Sequence, residues 1–409
     1  MCSLTALGKH TPLRTWHSLI SPCNANNAIP SPPPNLNFSL ISFATTISFF
    51  FLKHKQTVAM DLVNSFLNLV APPFTFFNML LFLPPWIFFK FCTRILRSLF
   101  SEVVSGKVVL ITGASSGIGE HIAYEYASRG ACLALCARRD DRLREVADRC
   151  KHIGSPDVIV IRADVSNPHD CKRMVDQTVH HFNRLDHLVN NAGISQIGML
   201  EEVDDITNLR PVMDINFWGS VYTTKFAAPH LRNCGGRIIA LSSAASWIPL
   251  PRMSVYNASK AALAQFFETM RVEFGSDVKI TLVTPGFIES ELTQGKFLSH
   301  EGKMVVDYEA RDMQVNLSPV AKVEGTARAI VKQALRGERY VTEPAWMRMS
   351  YVWKVLWPEA VEWMNHLTNM MTVGGDPRYD TLGKKIMNMT GAQGVLYPTS
   401  IQSSEVKSD

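Results

Sequence analysis

Tyr256 and Lys260 stand four residues apart in Tyr256-Asn257-Ala258-Ser259-Lys260. On a helix that spacing puts both side chains on one face. An ammonium beside a phenol favours the phenolate, so Lys260 is expected to lower the Tyr256 pKa. Tyr256 could then exchange a proton with a carbonyl or an alcohol near neutral pH. Ser243 lies thirteen residues earlier, at the end of an apolar run, where its hydroxyl could hydrogen-bond the reacting oxygen. A Tyr-x-x-x-Lys pair alone is a weak signal.

A second cluster suits a phosphate. The run Val108–Thr112 leads into Gly113-Ala114-Ser115-Ser116-Gly117-Ile118-Gly119 and then a helical stretch. Three glycines let the backbone turn tightly and approach a pyrophosphate, and the following helix N-terminus supplies N–H donors. Asp164 ends a third apolar run, which strengthens this strand–turn–helix context. The second apolar run ends in Ala137-Arg138-Arg139 rather than in an acid. An acid there binds the ribose 2′-hydroxyl of NAD, whereas arginine favours the 2′-phosphate of NADP. Asp140 and Asp141 read as the first turn of the next helix, where acids suit the dipole.

These residues need a scaffold. Residues 106–342 alternate β-rich runs with helical patterns, which predicts a doubly wound α/β fold with a parallel sheet covered by helices on both faces. Strands are expected at Lys107–Thr112, Ala131–Ala137, Asp157–Ala163, His187–Asn190, Arg237–Leu241, Lys279–Val283 and Arg339–Val341. Helices are expected at Asp140–His152, Pro168–Phe182 and Met253–Gly275. Ser318-Pro319 offers an N-cap and a first-turn proline for a further helix that Gly337 closes.

The motifs resemble, in their order, those of the short-chain dehydrogenase/reductase family, over about 240 residues from Gly106 to Thr342. They are the glycine turn, Asn190-Asn191-Ala192-Gly193, Asn216, Ser243, Tyr256, Lys260 and Pro285-Gly286. The resemblance implies a Rossmann fold and a nicotinamide cofactor that carries the hydride. It makes Tyr256 the general acid/base, Lys260 its partner and a ligand of the nicotinamide ribose, Ser243 the group that positions the substrate, and Asn216 the holder of a relay water. Asn191, with Ala192 and Gly193, would lie along the cofactor. Asp164 would contact the adenine, and Pro285-Gly286 the nicotinamide.

A hydrophobic zone precedes this domain. From Leu62 to Phe89 no residue is charged. As one helix the run would span about 42 Å, beyond the ~30 Å hydrocarbon core. Pro72-Pro73 and Pro84-Pro85 are expected to break it into two pieces of about 15 Å each, suited to a hairpin in one leaflet or in an oil-droplet monolayer. A kinked single-pass helix is the alternative. Lys90, Arg94 and Arg97 follow, so the C-terminal domain should face the cytosol. This anchor, together with Ala-Arg-Arg and Thr284-Pro-Gly-Phe-Ile-Glu-Ser-Glu-Leu-Thr-Gln-Gly295, resembles the steroleosins. These are plant oil-body proteins of the 11-β-hydroxysteroid dehydrogenase-like group, and the resemblance covers Met60 to Asp409. It implies NADP(H), hydroxysteroid or brassinosteroid-like substrates, and a lipid-droplet surface or endoplasmic-reticulum membrane. An endoplasmic-reticulum reductase of another keto-lipid, or a droplet coat with a sterol-binding role, are the other readings.

Four zones result: an extension at 1–59, either an organelle-targeting or secretory segment or a stretch disordered or absent from the working protein; an anchor at 60–105; the NADP-binding domain at 106–342; and an aromatic-rich tail at 343–409. The tail, with Trp346, Trp353 and Trp357, could touch a membrane, cover substrate, or pack into the core or a homodimer contact. The net charge is +5, but Lys9, Arg14, Lys53 and Lys55 supply most of it in a region without acids. The remainder is nearly neutral and gives no reason to expect nucleic-acid binding. The eight cysteines show no metal-ligand spacing and read as reduced thiols. Cys132 and Cys136 read as one face of a buried strand.

Overall fold

The computed structural model describes residues 36–99, 101–372 and 380–402. The chain divides into two compact units, residues 1–89 and 90–409. Most of the expected N-terminal extension, residues 1–35, lies outside the described residues.

In the first unit, helix α1 (Leu36–Leu99, continuing past the unit boundary) runs through Pro72, Pro73, Pro84 and Pro85. The expected break at the two proline pairs, and the hairpin built on it, are therefore not what the chain adopts. Proline's fixed φ is itself helical, and its penalty is one lost N–H···O bond and a ring clash. Adjacent prolines place those losses in a single turn. The apolar stretch Ala59–Ile95 has a mean hydropathy of 1.7 and buries none of its most apolar window. It is long and apolar enough to cross a membrane.

In the second unit seven parallel strands form one sheet in the order β3-β2-β1-β4-β5-β6-β9. They are β1 (Val108–Thr112), β2 (Cys132–Ala137), β3 (Val158–Arg162), β4 (His187–Asn190), β5 (Arg237–Leu241), β6 (Lys279–Pro285) and β9 (Tyr340–Glu343). Successive side chains point to opposite faces, so Val109 and Ile111 join one core and Val108 and Leu110 the other. The first core is closed by α2 (Gly117–Ala127), α3 (Asp140–Ile153) and α9 (Val323–Leu335). The second is closed by α4 (Pro168–Phe182), α6 (Gly219–Cys234) and α7 (Ser254–Phe274). Both faces are covered, which is why the strands read as unbroken apolar runs rather than alternating ones. Cys136 is fully buried and Cys132 partly so, both on the second face as the strand reading expected. The six described cysteines are free.

The strand order reverses between β1 and β4, and a crevice opens there at the carboxyl ends of the strands. Two further elements border it. A short antiparallel pair, β7 (Lys296–Leu298) and β8 (Met304–Val306), precedes α8 (Tyr308–Val315). Neither the pair nor α8 has a clear signature in the sequence. Helix α9 starts at Val323, not at Ser318-Pro319 as expected. Backbone groups of 320–321 are engaged elsewhere: Val320 N donates to Leu396 O at 2.9 Å, Ala321 N to Phe287 O at 3.0 Å, and Glu289 N to Ala321 O at 3.0 Å. Tertiary pairing overrides the local cap. The helix does end at Gly337, whose φ of 76° closes it.

The tail forms α10 (Arg348–Leu356), α11 (Pro358–Asn369), α12 (Leu382–Thr390), α13 (Gln393–Leu396) and α14 (Thr399–Gln402). Packing of its tryptophans into the core does not occur: Trp346, Trp353 and Trp357 are all more than half exposed. Next to Trp346, Met347 turns inward, beside Ala244 and Ile248. The later part of the tail buries Met387, Tyr397 and Ile401 against Val315, Val320 and Phe287.

Candidate active site

At the end of β1 the chain turns at Gly113 with φ +65°, and a Cβ there would lie 2.8 Å from Ala192 Cα. A Cβ on Gly119 would lie 2.4 Å from Asn191 Nδ2. Both positions therefore require glycine. Asn191 holds the turn: its Nδ2 donates to Thr112 O at 3.0 Å and Gly113 O at 3.1 Å. Helix α2 then begins at Gly117, and its Ser116 N-cap hydroxyl does not cap it. Gly117 and Ile118, the first residues of α2, line the crevice, and a helix N-terminus there suits an anion.

Asp140 starts α3, as expected, and pairs with Arg144 at 2.7 Å. No acid ends β2. Arg138 is exposed at the crevice and, among the described residues, has no hydrogen-bonding or ionic partner. Arg139 is held: its Nη2 donates to Ser116 Oγ at 2.9 Å and Ser115 Oγ at 3.3 Å, and its Nη1 to Glu291 Oε1 at 2.7 Å. This end of the crevice carries two guanidinium groups and two hydroxyls, a donor set that fits a phosphate. Asp164 also lies at the crevice; its Oδ1 accepts from Ser166 N and Ser166 Oγ at 2.9 and 2.7 Å.

The helix leading to Asn216 is irregular. Between the short α5 (Arg210–Met213) and α6 a π turn covers Asp214–Trp218. Such a turn inserts a residue and redirects side chains. Asn216 is wholly buried; its Oδ1 accepts from Ile194 N at 2.8 Å, and its Nδ2 donates to Ile194 O and Ser259 Oγ, both at 2.9 Å. Ser259 Oγ in turn donates to Tyr256 O at 2.7 Å. A Cβ on Gly193 would lie 3.1 Å from Asn216 Oδ1 and 3.3 Å from Lys260 Nζ, which shows how closely the three converge.

Tyr256 and Lys260 sit on one face of α7, both buried. Tyr256 N donates to Gln196 Oε1 at 2.8 Å, and Lys260 Nζ donates to Leu241 O at 3.0 Å. Burial pushes the phenol pKa up, and a hydrogen bond with Ser243 offsets part of that rise. The expected lowering by Lys260 does not follow from the protein alone. Burial dominates at the phenol, and the same burial brings Lys260 down to about 8. Ser243, at the end of β5, accepts from Ala245 N at 3.1 Å and faces Pro285 O at 3.5 Å.

The crevice has a volume of about 560 Å³. It brings together Gly113, Ser115, Ser116, Gly117, Ile118, Arg138, Arg139, Asp164, Asn191, Ala192, Gly193, Ser243, Tyr256, Lys260, Pro285 and Gly286. Of the sequence-derived residues, Gly119 and Asn216 stand behind the wall rather than in it. Beyond Tyr256 the wall turns apolar, with Ile248, Leu250, Met253, Leu292, Met304 and Met347. Gln196, Ser259, Glu291 and Met347 were not identified from sequence. Ser259 lies inside the Tyr256–Lys260 motif and Glu291 inside the 284–295 run, but their contacts are with partners distant in sequence, Asn216 and Arg139, as that of Gln196 is with Tyr256 N.

Residues 107–300 match the description "short chain dehydrogenase". A Sesamum indicum protein named 11-beta-hydroxysteroid dehydrogenase A is 62% identical over 350 residues, 86% of this chain and all of that protein. The chain belongs to the short-chain dehydrogenase/reductase family. An Arabidopsis thaliana relative, 11-beta-hydroxysteroid dehydrogenase 1A, is 58% identical over the same shares of the two chains. A Burkholderia phymatum short-chain dehydrogenase solved with NAD aligns with a TM-score of 0.57 at 23% identity, over 66% of this chain and 99% of that one. A Burkholderia cenocepacia member solved with NADP gives 0.53 at 23%, over 64% and 98%. These two establish the fold. As a member of this family the protein is an oxidoreductase acting on hydroxyl groups, and the glycine turn and crevice fit a dinucleotide.

Proposed function

We propose that the protein is an NADP(H)-dependent hydroxysteroid dehydrogenase/reductase that interconverts a hydroxyl and a ketone on a sterol-like substrate. The observation that carries this reading is the placement of Ser243, Tyr256 and Lys260 between a phosphate-suited crevice end and an apolar wall. The relatives named for 11-beta-hydroxysteroids support the substrate class. A rigid apolar ring system suits a wall of isoleucine, leucine and methionine, whereas a small polar alcohol would leave it wet.

NADP over NAD is supported by Arg138 and Arg139 where NAD-binding folds carry an acid, and by Ser115 and Ser116 beside them. The nicotinamide, when bound, supplies or accepts the hydride. The chain's own residues handle the oxygen. Ser243 donates a hydrogen bond to it, and Tyr256 gives or takes the proton. Lys260, with a pKa near 8, carries charge at neutral pH beside the phenol. Asn216 and Ser259 hold α7 in register through Tyr256 O.

We place the protein on a lipid surface, an oil-droplet monolayer or the endoplasmic-reticulum membrane, with the catalytic unit in the cytosol. The support is α1, whose large apolar side chains, such as Phe74, Phe77 and Leu80, are more than half exposed and need an apolar surrounding. Purified full-length protein tests the function directly. Steroid ketones should turn over with a kcat/KM well above that of straight-chain keto-lipids, and NADPH should outrun NADH. Turnover confined to straight-chain substrates, or an NADH preference, would contradict the proposal.

A further inference from the structure

The loop after Pro285-Gly286 reaches back over the cofactor turn. Ser290 Cβ lies 3.4 Å from where a Cβ on Gly117 would stand. Next to it, Glu291 meets two cations: Oε1 lies 2.7 Å from Arg139 Nη1, and Oε2 lies 3.4 Å from Lys296 Nζ. The three side chains are only 18%, 23% and 12% exposed for Glu291, Arg139 and Lys296, so solvent screens them weakly. Arg139 is divided between two jobs. One terminal nitrogen faces the Ser115 and Ser116 hydroxyls; the other holds Glu291. A continuous polar chain thus runs Ser115/Ser116–Arg139–Glu291–Lys296. It ends on the same loop that lends Leu292 and Thr293 to the crevice wall.

We infer that Glu291 couples recognition of the cofactor's 2′-phosphate to the setting of the substrate-side loop. This rests on the NADP(H) reading above. A phosphate seated on Ser115, Ser116 and Arg138 fixes the near nitrogen of Arg139 and thereby orients the far one. The oriented guanidinium pins Glu291, and Glu291 fixes the start of the loop that carries Leu292 and Lys296. A ribose 2′-hydroxyl offers no such charge and leaves Arg139 and Glu291 held only by the bonds the chain itself supplies. Glu291 is a positioning residue: it touches neither hydride nor substrate oxygen, and it acts through Arg139. The local charge balance permits this. One carboxylate stands among Arg138, Arg139 and Lys296, so a phosphate still meets a net positive site.

The test uses the full chain in detergent or nanodiscs, with a steroid ketone as substrate. In the wild type, KM for the ketone should be at least ~5-fold lower with NADPH than with NADH, the lower range of ordinary coupling between sites. Glu291→Gln should bring the two KM values within about twofold of each other, with the loss falling on KM rather than on kcat. Glu291→Asp keeps the charge and should restore part of the gap. Lys296→Met, which leaves the Arg139 pair intact, serves if the glutamine variant unfolds, and should narrow the gap in the same direction. A wild type without the gap, or a gap that survives in Glu291→Gln and Lys296→Met, overturns the coupling. Calorimetry separates this from the cofactor reading. If 2′,5′-ADP binds the wild type no tighter than 5′-ADP, the NADP(H) reading falls and the coupling with it. If it binds tighter while the KM gap is absent, the coupling alone falls.

Discussion

Burying a phenol and an ammonium on one helix face moves their pKa values in opposite directions. Tyr256 rises and Lys260 falls to about 8, both because the interior solvates charge poorly. At neutral pH Tyr256 is thus kept as a proton donor and Lys260 still carries most of its charge. At the other end of the crevice the NADP(H) proposal rests on Arg138, exposed and unpaired among the described residues. Arg138→Asp should invert cofactor preference, since the 2′-phosphate would lose a charge-assisted partner and meet a carboxylate. Each such change is worth about 1–3 kcal/mol, so the NADPH/NADH ratio of kcat/KM should drop by at least ~10-fold. An unchanged ratio would contradict the assignment. Tyr256, Lys260, Ser243 and the arginines were legible as crevice residues because each stands in a short motif. Glu291 was not, because its partner Arg139 lies 152 residues away.

Helices and strands were legible where burial on both faces writes a continuous apolar run. His187–Asn190, Arg237–Leu241 and Pro168–Phe182 have the bounds read from sequence. Elements set by tertiary pairing were not: the start of α9, the β7–β8 pair, and the π turn that aims Asn216. A further such feature joins α1 to β1. Glu102, in that linker, accepts from Arg237 Nη2 at 2.7 Å and meets His187 Nε2 at 3.1 Å and Lys107. His187 Nδ1 in turn lies 2.9 Å from Tyr126 OH. Burial opposes the carboxylate, but its bonds to His187, Lys107 and Arg237 together hold its pKa far below normal. A depressed carboxylate stabilises the fold above its unfolded pKa of about 4.5, and that contribution is lost as pH falls below it. Glu102→Gln should destabilise the catalytic unit by about 3 kcal/mol, because it leaves Arg237 buried without its counter-charge. It should also flatten the loss of stability between pH 5 and about 3. A denaturation midpoint within experimental scatter of wild type would show that the linker is held by other means.

Across the whole molecule, an oxidoreductase unit is joined to a helix whose described large apolar side chains are exposed. Over its 37-residue apolar stretch that helix would measure about 56 Å, well beyond the ~30 Å of a hydrocarbon core. Tilt or bilayer adjustment would have to absorb the excess. Composition made the long apolar segment legible, but proline rules alone misjudged its continuity, because they count the lost hydrogen bonds and not proline's own helical φ. Replacing Phe77 and Leu80 together with arginine should cost about 5–7 kcal/mol of insertion free energy. The double variant should leave the carbonate-resistant membrane fraction; full retention there would contradict an anchoring role for this segment. The central claim is the proton chemistry of Tyr256 in the intact, lipid-reconstituted chain. The most direct measurement is steady-state reduction of a steroid ketone by NADPH, wild type against Tyr256→Phe, with nucleotide binding followed in parallel. The ring still packs in the variant, but its transferable proton is gone, so kcat/KM should fall at least ~10²-fold while NADPH affinity stays within a few-fold. A Tyr256→Phe protein that keeps a tenth of wild-type turnover would contradict the account.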